Sequence, residues 1–450
     1  MADLIERLKT QFKAKKVLVV GLGLQGGGVG VAKFFAQIGA KVKVTDKKTR
    51  QQLNQSINKL IAFDISYTLG RHELSDFLES DIIFKAPKMR WDDPLIRAAQ
   101  EKGITVEMET SFFSELCPAP IIGITGTRGK STTTMMIYEI LKKYSGRIVH
   151  LAGNIPQTST IQLLNSIHKK DLVVMELSSW QLSGFHRKKI SPHIAVLTNF
   201  YPDHLDYYKS MDEFLFDKKA IYLYQKSKDY LIANKSLKEI VAKDIKEGKN
   251  IYFSSSDFPG NLLHLKGVHN KENAAATLAV AKILNLDLYR CIDTLTYFKG
   301  LPYRQEIIAE KGGVVFINDT TSTTPTAAIK ALETFSSYSI VLILGGNSKR
   351  LPANVLIDRL TDTYKIVLLK GSFTDEIITE LKYKFPGKIT IPYDNLEAAV
   401  KKAYDLAKQK LAIDKRSACV LFSPGATSFA MFNNEFHRGD EFNRIVKVLK

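Results

Sequence analysis

Cysteine is scarce in this chain. Cys117, Cys291 and Cys419 lie far apart, with no Cys-x-x-Cys spacing and no histidine cluster. That excludes a disulfide framework, gives no zinc site and fits a reducing compartment. Long apolar runs are missing too. None approaches the ~18 residues of a membrane span. Met1 to Lys16 is mixed polar and charged, without the apolar stretch of a secretory signal, so a cytoplasmic location is expected. There is no Gly-x-Ser-x-Gly elbow and no evident Cys-His pair, which leaves nucleophilic hydrolysis unsupported. No repeat or low-complexity segment stands out.

At 450 residues, 45% hydrophobic and 24% charged, the chain reads as a globular protein of two or three domains. Its net charge is +18. Such a charge suits nucleic acid or polyanionic small molecules. The lysines are spread along the whole length with no basic tract interleaved with aromatics, which favours the small molecules.

The most informative segment is Ile121-Ile-Gly-Ile-Thr-Gly-Thr-Arg-Gly-Lys-Ser-Thr-Thr-Thr134. It reads as an apolar strand, a glycine-rich turn and a helix running through Met135 to Lys143. Unpaired N–H groups and the helix dipole favour an anion at such a helix start. Gly126 and Gly129 allow close approach of phosphate oxygens, Lys130 reaches the outer phosphates, and Ser131 or Thr132 can ligate Mg²⁺. The spacing departs from the usual P-loop, since a strict match needs glycine at Ile124. An ordinary strand–turn–helix connection is the blander alternative.

Before this turn lies a βαβ start: strand Lys16–Val20, Gly21-Leu-Gly-Leu-Gln-Gly26, a helix from Val29 to Ile38, and a strand Lys41–Val44 ending at Asp46. Alone, this Gly-x-Gly-x-x-Gly is a dinucleotide fingerprint, and an NAD-linked oxidoreductase is one reading of it. The same turn holds the diphosphate of any nucleotide. A second nucleotide turn one domain later is something a plain dehydrogenase does not need. A P-loop ATPase moving a basic nucleic-acid-binding surface is a further reading.

Strand ends beyond the phosphate turn carry polar groups, where ligands bind in parallel sheets. After Asp171–Met175 comes Glu176, and after His193–Leu197 comes Pro202-Asp-His204. Glu176 and His204 suit a hard cation, or are satisfied structural groups. Lys218 and Lys219 fall in a helix expected over Asp212–Tyr224, and spacing alone gives them no role. Arg304 and Asn318-Asp319 are placed to touch ATP, although Asp319 equally suits the N-cap of a helix after Pro325. The loops Gly345-Gly-Asn-Ser-Lys349 and Ser423-Pro-Gly-Ala-Thr-Ser428 carry groups for a carboxylate.

Together these blocks resemble the Mur ligase family, in its glutamate-adding branch. The resemblance rests on Gly126-Thr-Arg-Gly-Lys-Ser-Thr132, Gly153-Asn-Ile155, Glu176-Leu-Ser-Ser179, Asp203-His204, His269-Asn-Lys-Glu-Asn273, Gly300-Leu-Pro-Tyr-Arg304, Asn318-Asp319 and Ser423-Pro424, in the family's order over essentially the whole length. It implies an α/β fold of three domains. These are a Rossmann-like domain at 1–117 for a UDP-sugar nucleotide, a central P-loop-type domain with a parallel sheet at 118–299 for ATP and Mg²⁺, and a Rossmann-like domain at 300–450 for the amino acid. The implied activity is ATP-dependent joining of glutamate to the L-alanine carboxylate of UDP-N-acetylmuramoyl-L-alanine through an acyl phosphate, a step of peptidoglycan precursor synthesis. A monomer with no nucleic-acid or membrane partner is implied.

The resemblance also distributes roles. Lys130, Glu176, His204 and Lys218 are catalytic. ATP falls to Gly126, Thr127, Gly129, Lys130, Ser131, Thr132, Asn273, Arg304 and Asp319. The UDP-substrate falls to Leu24, Gln25, Asp46, Lys47, Pro87 and Asn154, and glutamate to Thr321, Thr323, Lys349 and Ser428. Two Mg²⁺ ions fall to Ser131, Glu176, His204 and Lys218, the last as a carbamate. Three departures stand out. Thr321, in Asp319-Thr-Thr-Ser-Thr-Thr-Pro325, replaces the lysine usual in D-glutamate-adding members and resembles an L-glutamate-adding subgroup. Glu435 stands where an aromatic is common. Ala86-Pro-Lys88 replaces Ser-Pro-Gly. D- and L-glutamate both stay open.

Overall fold

A computed structural model describes residues 2–23, 26–155, 159–205, 207–244, 247–265, 267–413, 417–428 and 431–449. Among them, three sheets carry the architecture. The first contains β1 (Lys16–Val20), β2 (Lys41–Asp46), β3 (Ile65–Leu69), β4 (Ile82–Phe84) and β5 (Thr105–Glu107), ordered β3-β2-β1-β4-β5. The second contains β6 (Ile121–Thr125), β7 (Val149–Gly153), β8 (Leu172–Glu176), β9 (Ile194–Leu197), β10 (Tyr230–Asn234) and β11 (Lys249–Phe253), ordered β11-β10-β9-β6-β8-β7. The third contains β12 (Glu306–Lys311), β13 (Val314–Asn318), β14 (Ser339–Gly345), β15 (Lys365–Leu369) and β16 (Ala418–Phe422), ordered β12-β13-β16-β14-β15. Within these sheets the pairings are parallel except β12 on β13.

The chain divides into two compact units. One is Met1–Phe200, Phe214–Pro259 and Glu272–Leu295, and it holds the first two sheets. The other is Tyr201–Glu213, Gly260–Lys271 and Thr296–Lys450, and it holds the third.

The central strands are unbroken buried runs such as Ile121–Thr125 and Leu172–Glu176, as expected for parallel strands covered on both faces. In the first unit an aromatic chain extends from the N-terminal helix to the helix Glu109–Leu116. Phe12 meets Phe35 edge-on at 4.9 Å, Phe35 meets Phe84 at 4.7 Å, and Phe84 meets Phe112 edge-on at 5.2 Å. Such pairs add to the burial of large apolar area. The phosphate-turn helix is longer than the sequence suggests, Lys130–Tyr144, and the helix carrying Lys218 is shorter, Met211–Lys219. No helix of the described residues is long and apolar enough to cross a membrane.

Glu109, at the start of its helix, is half-buried. Its Oε1 accepts from Ile161 N at 3.1 Å and Ser159 Oγ at 3.3 Å. Burial outweighs these bonds and pushes its carboxyl from 4.5 up to about 7. The folded state therefore holds this proton more tightly than the unfolded chain. The contribution to stability is complete below the unfolded value and is lost as pH rises through about 7. Glu109→Gln should remove this term, worth up to about 3 kcal/mol at 1.36 kcal/mol per unit. Denaturant titrations at pH 5 and pH 8 check it. The wild type should weaken more than the variant between the two, and identical pH dependence would contradict the assignment.

Candidate active site

The phosphate turn connects β6 to its helix in the first unit. Gly126 and Gly129 have φ of +146° and +79°, a region costly for residues with a Cβ. Space forbids a Cβ as well. One on Gly126 would lie 2.0 Å from Thr198 Oγ1, and one on Gly129 would lie 2.4 Å from Asn273 Oδ1. The turn is clamped by the end of β9. Arg128 N donates to Asn199 Oδ1 at 2.8 Å, Thr127 N to Asn199 O at 3.1 Å, and Thr198 Oγ1 to Arg128 O at 2.6 Å. Asn273 also accepts from Thr133 Oγ1 at 3.2 Å, which ties the helix Val268–Ile283 to the turn.

Two lysines converge on one carbonyl of this turn. Lys130 Nζ donates to Gly126 O at 3.2 Å and Thr127 O at 3.1 Å. Lys218 Nζ donates to the same Gly126 O at 2.8 Å and lies 4.7 Å from the Phe214 ring. Lys218 is buried, while its neighbour Lys219 pairs with Asp244 at 2.8 Å. A lysine pair on a helix usually faces solvent, so the burial of Lys218 singles it out from Lys219.

Glu176 ends β8 beside Gly153 of β7, in register. Its Oε1 accepts from Asn154 Nδ2 at 2.9 Å. Its Oε2 is buried and has no hydrogen-bond partner. A buried carboxylate oxygen left unpaired is costly and needs a reason. A hard cation supplies one, and Glu176 with the Ser131 hydroxyl at the helix start fits Mg²⁺. Among the described residues no three His, Cys, Asp or Glu side chains form a metal cluster.

In the second unit, His204 takes a left-handed φ of +56° and its Nε2 lies 3.6 Å from Asp203 Oδ2. Lys349 Nζ lies 3.8 Å from Asp203 Oδ1 and donates to Thr323 Oγ1 at 3.2 Å. Ser428 Oγ is buried without a hydrogen-bond partner. Asp203, Thr323 and Lys349 are thus brought together. Thr321 is directed elsewhere: its hydroxyl donates to Tyr303 O at 2.9 Å. Asp319 is not the N-cap of the following helix. Thr324 takes that position, because Asp319 is fully buried and accepts from Ser423 Oγ (2.7 Å), Ser322 Oγ (2.5 Å) and Gln305 N (3.1 Å). Burial pushes its carboxyl up to about 6 despite these donors and the nearby Arg304. Burial, with Lys330 and Arg304 next, lowers His269 to about 4.

The first glycine motif holds a further finding. Asp46 Oδ2 accepts from Leu22 N at 2.9 Å and Gly23 N at 3.3 Å, and Oδ1 from Lys48 N at 2.9 Å. The acid that a dinucleotide fingerprint reserves for a ribose is folded onto its own turn. Leu24 and Gln25 lie outside the described residues. Lys47 and Pro87 are exposed.

Sequence reasoning assigned no role to Asn199 and Thr198, although both stand at a strand end where polar residues gather. It also missed Arg438. That side chain is 1% exposed and donates to Thr320 O (2.7 Å), Thr320 Oγ1 (2.9 Å) and Ala426 O (3.2 Å), joining two loops of the third sheet. No motif marks it.

Parallel strands delivering a glycine-framed phosphate turn, a buried acid and paired lysines define the class, and the comparisons agree. Residues 124–262 match the family described as Mur ligase middle domain, and residues 15–107 that described as Mur ligase MurD-like, N-terminal domain. The chain belongs to the Mur ligase family. It is similar to the UDP-N-acetylmuramoylalanine--D-glutamate ligase of Roseiflexus sp. (strain RS-1), with 35% identity over 97% of this chain and 99% of the relative. It is also similar to the protein of that name from Borreliella afzelii (strain PKo), with 34% identity over 98% and 99%. In fold it resembles the crystal structure of UDP-N-acetylmuramate-alanine ligase MurC from Thermotoga maritima, with a TM-score of 0.60 and 17% identity over 97% and 100% of the two chains.

Proposed function

We propose that this chain joins glutamate to the L-alanine carboxylate of UDP-N-acetylmuramoyl-L-alanine, using ATP and releasing ADP and phosphate, in the cytoplasmic assembly of peptidoglycan precursors. The observation that carries the reading is the phosphate turn, with Lys130 beside two glycines that admit no Cβ. The near-full-length likeness to ligases named for D-glutamate supports the substrate.

A carboxylate resists attack by an amine because an oxide would have to leave. Transfer of the γ-phosphoryl of ATP to that carboxylate gives an acyl phosphate with a good leaving group. The glutamate amine attacks its carbonyl, the tetrahedral intermediate collapses, phosphate departs and the amide remains. Lys130 and the turn's N–H groups offset charge as the phosphoryl moves. Mg²⁺, held by Ser131, Glu176 and His204, would neutralise phosphate oxygens. We assign Thr127, Thr132, Asn273 and Arg304 to ATP, Lys47, Pro87 and Asn154 to the UDP-substrate, and Lys349, Thr323 and Ser428 to the carboxylates of glutamate; Asp46 and Asp319, expected to touch UDP-substrate and ATP, serve by holding the backbone and hydroxyls of the adjoining turns. Thr321 acts by holding the Tyr303 turn that precedes Arg304.

Lys218 is assigned as a carbamate, a second anionic group for Mg²⁺. Two ammonium groups on the Gly126 carbonyl repel each other, and converting one to an anion removes that repulsion. Lys218→Ala should be nearly inactive and partly rescued by added short carboxylates, measured as ADP release. Unchanged activity would reject the carbamate.

Ligation assays with D-Glu and L-Glu offered separately test the reading. ADP should appear with D-Glu and only when UDP-N-acetylmuramoyl-L-alanine is present. Turnover confined to L-Glu would reassign the stereochemistry that Thr321 leaves open, and turnover with neither would remove the ligase.

A further inference from the structure

A helix starts just past Glu176 at the end of β8 and runs over Ser179–Lys188. Its last turn reaches a second element of the site. His186 Nε2 lies 2.6 Å from Phe216 O, in the helix Met211–Lys219 that carries Lys218. The His186 and Phe216 rings are stacked, with centroids 4.2 Å apart and planes at 7°. On the other side of the imidazole, Nδ1 lies 2.8 Å from the Tyr224 hydroxyl. Ser191 extends the contact. Its Oγ donates to Ala220 O at 2.7 Å and accepts from Tyr224 N at 3.1 Å.

One form of the ring satisfies both bonds. A carbonyl only accepts, so Nε2 carries the hydrogen, and Nδ1 accepts from Tyr224. Burial lowers the pKa of His186 below its ordinary 6.5, against the pull of the Phe216 carbonyl, which favours this neutral form.

The bond has a local cause. The last carbonyls of a helix lack donors of their own helix. Ala220 N, the regular partner of Phe216 O, donates instead to Asp217 O at 3.3 Å. Phe216 O takes its hydrogen from His186, a donor outside the helix. That N–H also offsets part of the negative end of the helix dipole, in the turn that carries Lys218.

The consequence falls on Lys218. Residues two apart on a helix point to roughly opposite sides, and residues four apart share one. Phe216 is exposed on the outer side, under His186. Phe214 and Lys218 are buried on the inner side, where Lys218 Nζ donates to Gly126 O. His186 therefore grips this turn from the face opposite the phosphate turn. The helix Ser179–Lys188 begins at the strand end that places Glu176 and ends on the turn that places Lys218.

We propose that His186 is a positioning residue for Lys218, holding it against the phosphate turn and at a set spacing from Glu176. The inference rests on the assignment of Lys218 to the reaction above.

Two readouts on the full chain test it. The first is the rate at which acetic anhydride modifies lysines, followed by mass spectrometry in buffer freed of carbon dioxide. Lys218 should react far more slowly than Lys219 in the wild type, and His186→Ala should remove most of that difference. The second is steady-state ligation. His186→Ala should lower kcat about 10-fold or more, with KM for ATP and UDP-N-acetylmuramoyl-L-alanine unchanged. His186→Gln keeps an N–H for Phe216 O and should recover most of the turnover and of the Lys218 protection. His186→Phe keeps the stacking without the donor and should recover neither. Wild-type kcat and a protected Lys218 in His186→Ala overturn the proposal. So does a lowered melting temperature with kcat and Lys218 protection unchanged, which makes His186 a structural cap alone. Those results leave the ligase reading intact, whereas full turnover in Lys218→Ala removes the assignment on which the inference rests.

Discussion

Lys130→Ala should lower kcat by about 10²–10³-fold, the range seen when one preorganised donor is removed from developing charge. The lysine is poised for this: its ammonium spans Gly126 O and Thr127 O, on the turn that faces the helix start. The loss should appear in the first chemical step, read by rapid quench as failure to form acyl phosphate from ATP and UDP-N-acetylmuramoyl-L-alanine. Melting temperature, measured in parallel, separates this chemical loss from a loss of the two carbonyl contacts that hold the turn. A variant with wild-type turnover at saturating ATP would displace Lys130 from the reaction.

Glu176→Gln should separate activity from stability. The Oε1 bond from Asn154 survives in the amide, while the buried Oε2, without a partner, is replaced by a group that cannot ligate a cation. Turnover should fall about 10²-fold or more, with a raised Mg²⁺ requirement. The melting temperature without nucleotide or metal should not fall, since removing an unpaired buried carboxylate oxygen costs the fold nothing. Full activity, or a strongly lowered melting temperature, would show that Glu176 serves the fold alone.

The parts legible in the sequence follow from burial. Runs such as Ile121–Thr125 and Ala418–Phe422 are apolar because both faces are covered, and their boundaries could be read directly. β12, Glu306–Lys311, was not legible. It is an antiparallel edge strand with mixed exposure, joined to β13 through Gly312 and Gly313, both at positive φ. β7 likewise has a half-buried pattern that hides it, yet its pairing with β8 is what sets Asn154 beside Glu176. Motif spacing located Lys130, Gly126 and Gly129, because a tight turn against a helix start constrains residue type locally. It could not show that Lys218 reaches the same carbonyl as Lys130 from a helix some ninety positions on, a contact made only by tertiary packing. Asp46 and Asp319 illustrate the converse. Both sit at strand ends where acids meet ligands, and both have their oxygens engaged by turns or hydroxyls of their own unit.

The central claim is that an acid accepts a phosphoryl group before it meets the amine. UDP-N-acetylmuramoyl-L-alanine labelled with ¹⁸O in its alanine carboxylate tests this directly, with the released inorganic phosphate analysed by mass spectrometry. One labelled oxygen should pass into phosphate for each amide bond formed. Phosphate released without label, while amide accumulates, would contradict the account.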